Sequence, residues 1–147
     1  MSPHKTVAVD LGGKKITIVY GRPSLKGREL GKLTPDGEVW RLGADEATKI
    51  TVTAATKFEK GPELQPGSYS LFAITSPQKW TMIVNKTADQ WGAFNYAQAQ
   101  DLARFDLPVH KPSSFVEEFT ISLEKQSSDT AKLTLTWGNE AVSTTLR

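Results

Sequence analysis

Gly12-Gly13-Lys14-Lys15-Ile16-Thr17-Ile18-Val19-Tyr20 is the stretch whose reading decides the fold. Ile16, Ile18 and Tyr20 share one face of an extended chain while Lys15 and Thr17 take the other, and β-branched residues in such alternation favour a half-buried strand over a helix. The two glycines ahead of it supply the positive φ of a hairpin turn, so residues 6–10 are expected to pair with this strand. The same alternation recurs in residues 48–54, with Ile50 and Val52 inward and Lys49, Thr51 and Thr53 outward. Residues 68–75 and 80–86 are apolar on both faces in places, and Ser76-Pro77-Gln78 between them reads as a tight turn, which predicts a central hairpin. A further hairpin is predicted where Phe119, Ile121 and Leu123 give way, through Ser127-Ser128-Asp129, to Leu133, Leu135 and Trp137. Residues 142–146 add a short strand after Gly138-Asn139.

These patterns specify an all-β chain: an antiparallel β-sandwich or jelly-roll-like barrel, one domain over residues 1–147, with one long ordered loop and at most a short helix. The expected core is Ile16, Ile18, Ile50, Val52, Leu71, Ile83, Phe119, Ile121, Leu133 and Leu135. Residues 22–37 form the long loop, since Pro23, Gly27, Gly31, Pro35 and Gly37 break any regular element. Leu25, Leu30 and Leu33 pin it down. Residues 87–100 hold Asp89, Trp91, Asn95 and Tyr96 before an Ala/Gln run with room for one or two helical turns, and Trp91 is the tryptophan expected to be exposed.

A chain of 147 residues, 38% hydrophobic, buries enough surface to fold without a staple. Eighteen Lys and Arg against sixteen Asp and Glu leave a net charge of +2, too little for the clustered basic footprint of a nucleic-acid binder. No apolar run approaches the ~20 residues of a membrane span. With no cysteine, thiol catalysis, zinc-thiolate sites and disulfides are excluded. His4 and His110 lack neighbours at ligand spacing, so no metal and no cofactor is expected. The abrupt opening Met1-Ser2-Pro3-His4 fits a periplasmic or secreted protein whose leader is removed or absent.

The densest chemistry lies in Tyr20-Gly21-Arg22-Pro23-Ser24-Leu25-Lys26-Gly27-Arg28 and Trp40-Arg41-Leu42-Gly43-Ala44-Asp45-Glu46-Ala47-Thr48. Together these segments resemble the bacterial domain of unknown function 2911 family, with its Tyr-x-Arg-Pro-x-x-Lys-Gly-Arg loop and Trp-Arg-x-Gly-Ala-x-Glu-x-Thr loop. The likeness continues through Pro66-Gly67-Ser68-Tyr69-Ser70-Leu71-Phe72, Trp80-Thr81 and Glu118-Phe119-Thr120, and departs at Asp45, where members often carry Asn. It implies mostly exported bacterial proteins with no established activity and no agreed catalytic residues.

Residue chemistry adds a candidate site where the loop of residues 22–37 meets residues 40–48. Arg22, Lys26, Arg28, Trp40, Arg41, Asp45 and Glu46 are its expected ligand-binding residues, and the expected partner is a small anionic or sugar-like ligand bound without catalysis. The alternatives are a hydrolase with Glu46 or Asp45 as general base and arginine charge stabilisation, and a purely structural or interaction module. Strand parity carries Arg22 onto the face of Ile16, Ile18 and Tyr20, because the following proline keeps it extended, and carries Glu46 onto the face of Ile50 and Val52. Arg22 is therefore expected to contact Glu46 or Asp45. If that pair is buried, Glu46→Ala should cost ~3–5 kcal/mol in denaturant unfolding, against ~0–1 kcal/mol for an exposed pair.

Overall fold

The computed structural model describes residues 4–44, 46–88 and 98–147. β1 (His4–Leu11) and β2 (Lys14–Gly21) form the expected hairpin, in continuous register from Leu11 opposite Lys14 to His4 opposite Gly21. Gly12 at φ 50° and Gly13 at φ 89° take the left-handed turn values that match strand twist. β4 (Thr48–Val52) lies along the other edge of β2, with Ile18 opposite Ile50 and Ile16 opposite Val52. The inward sets read from the two alternations thus meet as cross-strand pairs, each worth roughly 0.2–1 kcal/mol over alanines.

The sheet continues through β7 (Gly67–Thr75), β8 (Lys79–Asn85) and β9 (Asp101–Pro108), in the order β1-β2-β4-β7-β8-β9, with the short β3 (Val39–Trp40) also paired to β7. A second sheet orders β10 (Val116–Lys125), β11 (Ala131–Gly138) and β12 (Glu140–Leu146). β5 (Thr56–Lys57) and β6 (Glu63–Leu64) make a small extra pair. All pairings are antiparallel, and the sheets pack as a sandwich with no closed barrel. Among the described residues no helix is long and apolar enough to cross a membrane.

All ten expected core residues are buried. Nine join the main core between the sheets, whereas Ile83 packs with Phe72 and Ala47 in a separate cluster, because β7 and β8 are covered on both faces. That is why these two strands read as apolar on both sides. β9 was not anticipated: Phe105 and Leu107 point inward, but Asp101, Arg104 and Asp106 on its other face mask the alternation. Those charges are held by neighbours, Asp106 by Thr81 at 2.6 Å and Lys79 at 3.1 Å, and Asp101 by Asn85 at 2.9 Å. The long loop is ordered and contains the one short helix, α1 (Leu30–Leu33). Of the helical turns expected in residues 87–100, a 3₁₀ turn at Gln98–Gln100 is present; Asp89, Trp91, Asn95 and Tyr96 lie outside the described residues.

The two glycine-bearing motifs lock together at one end of the sandwich. A Cβ on Gly21 would lie 2.3 Å from the Ala44 carbonyl oxygen, and one on Gly43 would lie 2.9 Å from that of Gly21. Both obstacles are backbone, so neither side can yield cheaply. Gly21→Ala and Gly43→Ala are each expected to destabilise by at least the ~1–3 kcal/mol of core overpacking. Gly31→Ala is the control: its added methyl meets nothing within 4 Å, so its denaturation midpoint should hold or rise.

Candidate functional site

β10 begins at an edge of the smaller sheet, and residues 20–25 cap that edge group by group. Leaving β2, the chain crosses to β10, where the Leu25 N–H donates to the Glu117 carbonyl at 3.1 Å and the Phe119 N–H donates to the Pro23 carbonyl at 2.9 Å. The buried Tyr20 hydroxyl serves the next residue, accepting the Ile121 N–H at 3.0 Å and donating to the Ile121 carbonyl at 3.4 Å. Arg22 fills the remaining position: Nε reaches the Phe119 carbonyl at 3.4 Å and Nη2 the Thr120 hydroxyl at 3.3 Å. Unpaired strand edges expose main-chain donors and acceptors that template unwanted pairing, and here those from the Glu117 carbonyl to the Ile121 carbonyl are met locally.

The rest of the first motif turns the chain back. Lys26 at φ 51° and Gly27 at φ 77° form the turn, and the Lys26 N–H is held by the Glu117 carboxylate at 2.7 Å. The guanidinium of Arg28 closes it, donating from Nε to the Leu25 carbonyl at 2.8 Å and from Nη2 to the Ser24 carbonyl at 2.9 Å.

The second motif is a tight loop ending in β4. Leu42 sits in the left-handed region at φ 58°, unusual for a branched residue, and is held there because its side chain is buried and its flanks are tied. The Thr48 hydroxyl donates to the Leu42 carbonyl at 2.6 Å, and Trp40 Nε1 to the Gly43 carbonyl at 3.1 Å. Trp40 belongs to an aromatic cluster, stacked on Trp137 at 5.5 Å and edge-on to Phe119 and Trp80 at 4.9 and 5.9 Å. Such pairs add roughly 0.5–1.5 kcal/mol each beyond area burial.

The structure places the expected site residues as follows. Arg22, Lys26 and Arg28 share the β10 corner. Trp40 lies behind it in the aromatic cluster, and the Arg41 carbonyl accepts the Thr48 N–H at 3.2 Å. Asp45 lies outside the described residues. Glu46 is exposed and lines a different cleft of about 200 Å³ with His4, Val19 and Lys49. The expected contact of Arg22 with Glu46 is not made: the carboxylate near Arg22 is Glu118, 3.9 Å away and 41% exposed. Strand parity required an extended chain from Glu46 into β4, and the chain bends at Glu46, two residues before β4 begins.

Beside the corner lies a larger cleft of about 370 Å³, lined by Leu25, Arg28, Glu29 and Leu30 from the loop, by Phe115, and by Gly138, Asn139 and Glu140 between β11 and β12. Its floor depends on Gly138, whose φ of 62° at the first turn position suits a two-residue hairpin. A Cβ there would stand 3.3 Å from Leu25 and 3.9 Å from Phe115. Phe115 is 56% exposed. One wall is fixed from within, because the buried Trp80 donates its indole N–H to Glu140 Oε1 at 3.0 Å. Sequence reasoning missed Phe115, Asn139 and Glu140; the signals were an aromatic after Pro112-Ser113-Ser114 and polar residues following a turn glycine.

Truncation separates the corner from the exposed carboxylate. Arg28→Ala removes two hydrogen bonds to loop carbonyls and is expected to cost about 1–2 kcal/mol, whereas Glu46→Ala should shift the urea unfolding free energy by no more than ~0.5 kcal/mol. A Glu46→Ala loss of several kcal/mol would contradict this placement.

Neither a curated protein nor a solved structure matches the chain. A family model described as a protein of unknown function, DUF2911, matches residues 2–146. The corner motifs, the aromatic cluster and the strands between them all fall within that match, and the chain belongs to the DUF2911 family.

Proposed function

We propose that the protein is a non-catalytic binding domain, working in the periplasm or outside the cell, that holds a small sugar-like ligand in the cleft of Phe115. The observation that carries this reading is the exposed Phe115 ring set beside polar groups with fixed positions. An aromatic face covers the C–H face of a sugar ring, and nearby amides, carboxylates and guanidinium groups pair with its hydroxyls. Arg28 brings that polar chemistry while tied to the Ser24 and Leu25 carbonyls, Glu140 while tied to Trp80, and Asn139 from a two-residue turn.

Of the two ligand classes expected from sequence, the sugar-like one suits the lining better, since Glu29 and Glu140 face an anion with two carboxylates against one guanidinium. Arg22 and Arg28, two of the arginines expected to receive an anion, donate to carbonyls at the β10 corner. For a hydrolase centred on Glu46, the cleft with His4 and Lys49 lacks Arg22 and Arg28, and no observation favours that reading over binding.

A thermal-shift screen of neutral mono- and disaccharides tests the proposal. A ligand at ~100 times its Kd should stabilise by about 2.7 kcal/mol. Phe115→Ala should abolish that shift while leaving the ligand-free melting temperature close to wild type. No shift with any saccharide, or a shift that survives Phe115→Ala, would overturn the assignment.

A further inference from the structure

We infer that the ligand class of the Phe115 cleft is an amino sugar bearing a free ammonium, recognised by Glu29 and Glu140; this rests on the sugar-binding reading above and sharpens it. The cleft holds two carboxylates, and among the described residues neither forms an ion pair. Arg28 shares the lining but is turned toward the chain's own carbonyls, with Nε and Nη2 both committed at 2.8–2.9 Å. It forms no ion pair with Glu29 or Glu140, and its one positive charge leaves the lining with a negative charge in excess.

Glu140 is positioned for such a ligand. One carboxylate oxygen is fixed by the indole N–H of Trp80, which is itself wholly buried against Trp40. Holding one oxygen orients the other without side-chain search, and preorganisation of this kind lowers the ordering cost of binding. Leu25, Leu30 and Phe115 supply the apolar side of the same cleft. An apolar face, two carboxylates outside any ion pair and an amide match a ring whose C–H face packs on Phe115, whose ammonium meets the carboxylates and whose hydroxyls reach Asn139. A neutral sugar leaves the carboxylates without a cation, and an acetylated amine removes the charge that distinguishes the site.

Binding of glucosamine, glucose, N-acetylglucosamine and cyclohexylamine to the full chain, followed by titration and by the Trp80 indole N–H resonance, tests this. Glucosamine is expected to bind about tenfold tighter than glucose or N-acetylglucosamine, the ratio equivalent to ~1.4 kcal/mol, and to move the Trp80 signal. Glu140→Gln keeps an acceptor for Trp80 but loses the charge; it and Glu29→Gln should each bring the ratio of glucosamine to glucose affinity toward one. Equal affinity for glucose and glucosamine would overturn the ammonium assignment and leave sugar binding standing. Cyclohexylamine binding as well as glucosamine would overturn the sugar component. If none of the four binds, both this inference and the reading beneath it fall.

Discussion

The edge of β10 is the constraint on which the rest of the structure depends. A two-layer sandwich whose smaller sheet has only three strands offers long unpaired edges, and water cannot satisfy a group that lies under the packed corner. Four residues answer this: the main chain at Pro23 and Leu25, the guanidinium of Arg22 and the phenol of Tyr20 are each matched to a group on β10 between Glu117 and Ile121. The crossing also sets where β2 leaves the large sheet. That brings Gly21 against Ala44 so closely that no side chain fits between them.

The arginine-rich stretch of residues 20–28 braces the chain with the same groups that an anion site would use. Structural ion pairs and hydrogen-bonded arginines use the same groups as anion sites, which is why composition alone does not separate them. What separates them here is where the donors go. Arg22 and Arg28 point at carbonyls of the chain, and Trp40 stacks on Trp137. By building a rigid shoulder, the motif leaves a cleft beside it, and a cleft between a braced loop and a tight hairpin turn is where a scaffold holds polar groups at fixed positions.

The fold was legible because alternation survives wherever one face of a strand is solvated: Ile16, Ile18, Ile50, Val52, Leu133 and Leu135 all fell where period two places them. β9 escaped because charged residues on its outer face are satisfied across the sheet by Thr81, Lys79 and Asn85, a pairing visible only once the strands are adjacent. The corner between Arg22 and Glu46 was misjudged for a local reason. Parity is a property of extended chain, and the bend at Glu46 ends it two residues before β4 begins, with no glycine or proline at residues 45–47 to announce the change. The cleft was illegible for a different reason, since Arg28, Phe115 and Glu140 are far apart in sequence and share no motif.

Native-state amide hydrogen exchange of the wild-type chain and Tyr20→Phe tests the central claim most directly, because the Ile121 N–H has the Tyr20 hydroxyl as its acceptor. The account predicts that in wild type the amides of Leu25, Phe119 and Ile121 exchange only with the slowest, globally protected group, and that Tyr20→Phe opens a local route at Ile121 first. Fast exchange at Ile121 in the wild-type chain, or protection unchanged by Tyr20→Phe, would contradict the claim that the corner holds the two sheets together.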